Sequence, residues 1–538
     1  MRYMKTKYIF TSVLLSATLF TGCADMDTYP EGDIVTSDQK NDVVATDPSK
    51  AEAGVNAIFS QFSAYMPITG TRHNDIGYPS IMLFTETNGF DFVSQDNGYN
   101  WVGNSLDFSD RNFTGNESKI VWGTIYKMIY AANNVVASID PATTDATTQF
   151  YLGQALAARA FNYWVLAQLY QFNYADHKTS PCVPLVTEVN AATVAVDGAK
   201  RATVEEVYAQ ITSDINEAIN LLTNAKNAGL KRKDKRYIDQ GVAYGLRARI
   251  NLTMEKWADA ASDAQQAITL SGATPYSREE VSVPTMYDSN DAAWMWGIIV
   301  AETDRVVTSG IVNWPSHMGS LNYGYAEYCG GRQINKKLWN TIPDTDVRKG
   351  WWLDEDTLSV NLDADYQHFV SSKYVGYPAY TQVKFAPYNN VMENSVNAND
   401  IPLMRIEEMY LIKAEGEAMS GNVTGAKKTL EDFIKAYRDT KYTCTASSST
   451  DMQEEIYRQR RIELWGEGLS WFDIMRLKKP IDRRGAGYPD AVMIFNVPAN
   501  DNILLWRIPE SEIQANPALT NDDNNPAASV PTPIADID

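Results

Sequence analysis

Two stretches of this chain repeat one pattern of small residues. In YGLRARINLTMEKWADAASDAQQAI, Tyr244 is followed by Ala248 and Ala260. In YLIKAEGEAMSGNVTGAKKTL, Tyr410 is followed by Ala414 and Ala426 at the same offsets of 4 and 16. Residues four apart share a helix face, so the first offset places a small side chain beside the tyrosine. The second places another on the returning helix of a hairpin, where backbones can approach closely. The copies start 166 residues apart, too far for a tandem array. The pattern therefore predicts degenerate helical-hairpin repeats; two unrelated hairpins are the alternative.

Helical spacing recurs elsewhere. DPSKAEAGVNAIFSQF has Asp47 to cap, Pro48 at the first helical position, and Val55, Ile58, Phe59 and Phe62 on one face. VWGTIYKMIYAANNVV spaces Trp122, Ile125, Tyr126, Ile129 and Tyr130 as a helix does. LGQALAARAFNYWVLAQLYQ offers Gly153, Ala157 and Ala160 for close helix approach. TVEEVYAQITSDINEAINLL opens on Thr203 with Glu206 three residues on, a capping box. In EEIYRQRRIELWGEGLSWFDIMRLKKP, Glu454 and Arg458 form an expected i, i+4 pair, then Gly466 and Gly468 break the helix. The last forty residues read as an extended segment and a short turn.

Between these lie two non-periodic regions. Residues 68–118 mix Gly, Asn, Asp and Ser with aromatics and read as one long functional loop. Residues 271–400 read as a loop-rich, aromatic-rich insert with short strands. This insert holds Trp294, Trp296, Trp314, Trp339, Trp351 and Trp352, six of the thirteen tryptophans.

At the front, Arg2, Lys5 and Lys7 precede an apolar run, residues 8–20, that ends at Gly22-Cys23. The run is short for a membrane span of roughly 20 residues, so 1–22 reads as an export signal. A plain secretory signal needs no thiol. Leu19 to Cys23 resembles a bacterial lipobox, whose cysteine is acylated and ties a soluble body to a membrane. A plain signal with an incidental cysteine is the alternative. Residues 23–46 then form a polar, lipidated tether.

Net charge is −20, or −23 without the cations of the leader. Such a surface repels nucleic acid and anionic polymers, although a local basic groove remains compatible with it. A neutral ligand fits best. If lipid takes Cys23, then Cys182, Cys329 and Cys444 allow at most one disulfide. No histidine or cysteine spacing marks a metal site. No cofactor is expected; NLDADYQ is oxygen-rich and leaves a structural Ca²⁺ open, without an EF-hand pattern.

Four stretches together resemble the SusD/RagB family, surface glycan-binding lipoproteins of Bacteroidetes. They are the lipobox; LGQALAARAFNYWVLAQLYQ with CVPLVTE; PLMRIEEMYLIKAEGEAMSGN; and RQRRIELWGEGLSWFDIMRLK with RIPESEIQANPAL. The resemblance implies a mainly α fold: a tetratricopeptide-like helical-repeat body carrying the loop-rich insert. Its parts would be 47–270, an N-terminal helical region; 271–400, the insert; and 401–538, a C-terminal region. It implies no catalysis, and a partner: a SusC-type TonB-dependent outer-membrane transporter. Asp25 and Asp27 resemble the surface-export signal of such lipoproteins. The protein would sit on the outer membrane, lipid-anchored and surface-exposed.

Arg460, Arg461, Glu463, Glu467, Asp473 and Arg476 of the C-terminal signature could suggest an acid–base site. They read better as ion pairs locking the Gly466–Gly468 corner. A neutral glycan offers C–H patches to aromatic faces and hydroxyls to amides and carboxylates. QDNGYNWVGN supplies Asp96, Tyr99, Asn100, Trp101 and Asn104; the insert supplies Trp294, Trp296 and Trp314, with burial as their competing reading. Trp101 is the leading candidate. In the starch-binding relatives the site joins the early loop to the insert. Trp351 and Trp352 are adjacent, so only one of them could face a ligand from a strand. Alternatives are an exported glycoside hydrolase and a protein-only helical-repeat assembly factor.

Overall fold

A computed structural model describes residues 47–95, 98, 101–372 and 376–537. The leader, Cys23 and the tether lie outside the described residues, as do Asp96, Tyr99 and Asn100. The fold is mainly α, with four two-stranded ribbons attached. Helices α1 (Ala51–Ser60), α2 (Tyr78–Thr87), α3 (Asn116–Ala137) and α4 (Ala146–Tyr170) come first. Helices α5 (Val204–Asn227), α6 (Gln240–Thr253) and α7 (Trp257–Leu270) complete the N-terminal part. After the insert come α8 (Ile406–Met419), α9 (Val423–Tyr437), α10 (Ser449–Glu463) and α11 (Ser470–Arg476).

Neighbouring helices pack as antiparallel pairs: α3 on α4, α4 on α5, α6 on α7, α8 on α9. The two patterned stretches are the hairpins α6–α7 and α8–α9, and α7 packs directly on α8. Copies far apart in sequence are thus stacked in space. Ala248, Ala260, Ala414 and Ala426 are all fully buried at these contacts. The capping box at Thr203 and Glu206 forms, and Gly466 and Gly468 adopt positive φ between α10 and α11.

The ribbons pair β1 (Phe92–Val93) with β5 (Gln333–Ile334), and β2 (Pro181–Pro184) with β3 (Arg201–Thr203). They also pair β4 (Trp294–Ile298) with β6 (Ile401–Arg405), and β7 (Ile481–Asp482) with β8 (Asn496–Val497). Two of them, β1–β5 and β4–β6, fasten the insert to the rest of the chain.

Several expectations are corrected. The stretch 68–118 is not one loop: α2 lies inside it. All ten residues of α2 are buried, so it shows no apolar stripe and its period is invisible in sequence. Tyr130 is 67% exposed and sits off the packed face of α3. Arg458 pairs with Glu455 at 2.7 Å, while Glu454 meets Lys479 instead. The C-terminal segment includes a short helix, Glu510–Ala515. Cys182, Cys329 and Cys444 are buried and form no disulfide with one another, which the limit of at most one disulfide allows.

Candidate glycan-binding site

Asp75 builds the first wall of the site. Its carboxylate accepts the backbone N–H groups of Ile68 and Thr69 at 3.0 and 2.6 Å, and the Thr69 hydroxyl at 2.9 Å. This ties residues 66–75 into a tight loop that presents Arg72 and His73. Glu117, in the first turn of α3, holds the Arg72 guanidinium at 3.0 Å. Asn74 is fully buried and donates to the Trp101 carbonyl at 2.9 Å.

That bond fixes Trp101 at φ +58°, a left-handed conformation that non-glycine residues rarely adopt. Strained backbone of this kind persists where surrounding contacts over-determine it, often at ligand sites. Trp101 is a partly exposed residue. Arg72 lies 4.6 Å over its ring, and the His73 ring stacks 4.7 Å away with planes 24° apart. Tyr325, from the insert, meets the indole edge-on at 6.4 Å. Its hydroxyl bonds His73 Nδ1, and its ring stacks on His317 at 4.9 Å. His317 Nε2 in turn lies 2.9 Å from the His73 carbonyl oxygen. Burial, then the nearby Arg72 charge, pushes the His73 pKa down, so its imidazole favours the neutral form. Burial raises the Tyr325 hydroxyl.

Tyr325 opens the one-turn helix Tyr325–Tyr328, and Tyr328 is half exposed at the other end. Just beyond it, Cys329 and Gly330 line a cavity of about 380 Å³. Gln95 of the early loop and Gln333, Tyr377 and Tyr380 of the insert line it too. This volume lies within the range of about 300–1,000 Å³ usual for small-molecule sites. Trp101 does not line this cavity; an indole suits the C–H face of a sugar, and the amides and tyrosines of the cavity suit its hydroxyls.

Trp101 meets the insert through the Tyr325 ring. Asn104 is exposed in the next helical turn, its side-chain oxygen 3.3 Å from the Ser109 hydroxyl. The insert tryptophans are elsewhere. Trp294 and Trp296 are fully buried and Trp314 is 3% exposed, so none presents a face to ligand. Trp296 packs against Phe62 and Phe161, and its indole N–H donates to the Arg236 carbonyl. Trp294 donates to the Tyr276 hydroxyl, and Trp314 packs edge-on against Phe385. Trp351 and Trp352 are both buried: a helical turn ends at Trp351, and the two rings pack edge-to-face.

Sequence reasoning missed Arg72, His73 and Tyr325. Arg72 and His73 lie in the same non-periodic region as Trp101. Tyr325 belongs to the tyrosine cluster NYGYAEY, and that density was the available signal.

The signature residues form a buried network, and none of them lines the cavity. Glu463 meets Arg348, Arg405 and Arg438 at 3.2, 3.2 and 2.8 Å. Glu467 bonds Lys384 and Arg405, both at 2.7 Å. Asp473 bridges Arg460 and Arg476, and Arg461 pairs with Asp91. Glu86 closes the corner by accepting the Gly468 N–H at 2.7 Å. Every carboxylate here is engaged, as a structural lock would be. Among the described residues, no cluster of three His, Cys, Asp or Glu side chains could hold a metal ion.

Residues 64–252 match a family described as "Starch-binding associating with outer membrane", and residues 286–526 match the SusD family. SusD-like protein P38 of Formosa agariphila is 23% identical over 411 residues, 70% of this chain and 76% of that protein. A SusD-like carbohydrate binding protein from Bacteroides vulgatus superposes with a TM-score of 0.72 at 24% identity. That superposition covers 90% of this chain and 98% of that one. A laminarin binding SusD-like protein superposes with a TM-score of 0.61 at 17% identity, covering 89% and 99%. The stacked hairpins, the insert clamped across them and these matches over most of the chain agree: the chain belongs to the SusD/RagB family.

Proposed function

We propose that this protein is a cell-surface glycan-binding lipoprotein. It captures neutral oligo- or polysaccharide and passes it to a SusC-type TonB-dependent transporter in the outer membrane. The observation that carries the reading is Trp101. The residue is partly exposed, held in a strained backbone, and in contact with Tyr325 of the insert. The relatives described as carbohydrate-binding and laminarin-binding support the same ligand class. Cys23 is the proposed acylation site, and the tether would carry the body above the membrane. Among the described residues no helix is long and apolar enough to cross a membrane.

The reading is non-catalytic. A glycosidase needs two available carboxylates about 5–10 Å apart. The carboxylates bonded into the Trp101 site, Asp75 and Glu117, are buried and committed to the loop and to Arg72. Reducing ends released from a glycan that the protein binds would overturn this part.

Affinity gels and calorimetry test the site. Losing a stacking indole removes about 2 kcal/mol of contact, so Trp101→Ala should weaken glycan binding more than tenfold with little change in Tm. Binding within twofold of the parent would place the site elsewhere. For the anchor, Cys23→Ser should abolish labelled palmitate incorporation and release the protein from the cell surface.

A further inference from the structure

A second cavity, of about 360 Å³, lies between α1 and the start of the insert. Its walls include Phe59, Phe62, Trp296, Ile298 and Leu403. Two cations line it as well, Arg236 and Arg305.

These two arginines are exceptional in this molecule. Among the described arginines, only Arg236, Arg278 and Arg305 lack both an ion pair and a side-chain hydrogen bond. The others are spent on carboxylates, as in Arg159 with Asp214, or on carbonyls and amides, as in Arg483 with the Gly89 carbonyl. Arg278 lines a different cavity. So two of the three uncommitted guanidiniums border one pocket, in a chain with 67 acidic residues to neutralise them. Nearby acids are already engaged. Asp304, also on the wall, accepts the Ala301 N–H at 2.9 Å, and Asp234 accepts the Arg236 backbone N–H at 2.9 Å. Neither carboxylate bridges Arg236 or Arg305. The Arg305 guanidinium rests 4.5 Å over the Tyr65 ring, which holds its fork without using its donors. Arg236 is half-buried and Arg305 is exposed at the rim, so the apolar wall lowers the local dielectric on one side of each guanidinium only. With Asp304 counted, the lining still carries a net positive charge.

We infer that this cavity binds a saccharide-borne oxyanion, a uronate carboxylate or a sulfate ester, between Arg236 and Arg305. The guanidinium fork matches both groups. Ser60 and Ser63 line the same cavity and supply hydroxyls to the sugar. The saccharide part rests on the proposed glycan-binding function; the oxyanion part rests on the two arginines alone. The overall negative charge disfavours long polyanions but acts weakly on one short charged ligand beyond a screening length of about 8–10 Å.

Calorimetry on the full chain in detergent tests this with three probes: a galacturonic acid trisaccharide, a sulfated galactose trisaccharide and maltotriose. At least one acidic probe should bind, and which one does so separates carboxylate from sulfate. Its affinity should fall at least tenfold in Arg236→Gln/Arg305→Gln, fall with added salt, and stay within twofold in Trp101→Ala. The double variant should stay close to the parent Tm, since it gives up the Arg305–Tyr65 ring contact but no ion pair or side-chain hydrogen bond. Failure of both acidic probes, or full binding in the double variant, would sink the inference. Maltotriose binding lost in Trp101→Ala reports on the other site, so the two readings can fail separately.

Discussion

At the scale of single residues, Glu86 stores the clearest titration. It is fully buried, and burial pushes its carboxyl up to about 7 despite the N–H groups of Gly468 and Gly466 that favour the charged form. In the unfolded chain it would titrate near 4.5. The folded state therefore holds this proton more tightly, and this residue's contribution to stability declines as pH rises from about 4.5 to about 7. The difference of about 2.5 units corresponds to roughly 3 kcal/mol. Glu86→Gln keeps the oxygen that accepts the Gly468 N–H and removes the ionisation. Its Tm relative to the parent should climb between pH 4.5 and 7 and level off above. A difference that stays flat across that window would show that Glu86 titrates normally.

At the scale of elements, close helix contacts depend on two glycines with different neighbours. A Cβ on Gly416 in α8 would lie 2.5 Å from the Trp257 carbonyl oxygen and 2.8 Å from the Ala261 nitrogen, both backbone atoms of the α7 hairpin arm. A Cβ on Gly153 in α4 would meet the Leu222 side chain of α5 at 2.9 Å. Backbone cannot step aside as a leucine can. Gly416→Ala should cost about 2–3 kcal/mol through overpacking. Gly153→Ala should come out near neutral, because alanine's helix propensity returns about 1 kcal/mol. Chemical denaturation of both variants measures the contrast, and equal losses would refute it. The Gly153 contact was legible in sequence, since Gly153, Ala157 and Ala160 mark a small-residue face for a close neighbour; Gly416 was not singled out. Helix α2 was not legible, because a helix buried all round has no polar face to give it a period. The tryptophans of the insert were ambiguous for a related reason. Composition reports how many aromatics a segment has, not which side of a ribbon they face. Trp101 could be singled out because it sits among Asn and Gly, whereas Trp294 and Trp296 sit in the apolar run AAWMWGIIV.

At the scale of the whole molecule, Glu463 is where the distant parts meet. Its three cationic partners come from the insert (Arg348), the strand β6 (Arg405) and the end of α9 (Arg438). Glu407 joins Arg405 and Arg438 from the first turn of α8. Burial alone would push the Glu463 carboxyl up, but the guanidiniums of Arg438, Arg405 and Arg348 outweigh it and hold it well below the usual range. A depressed folded pKa gives stability that is complete above the unfolded value, near 4.5, and is lost as pH falls. Glu463 and Glu86 thus act in adjoining pH windows with opposite slopes. Glu463→Gln leaves three buried cations facing a neutral amide, and breaking such a network costs about 3–5 kcal/mol. The variant should show that loss by denaturant unfolding at pH 7, and the gap from the parent should narrow in acid. Glu463 neither lines the cavity nor touches Trp101, so glycan affinity at 25 °C should remain within twofold of the parent as long as the variant is folded. Lost affinity in a folded Glu463→Gln protein would mean that this lock positions the site as well as the body.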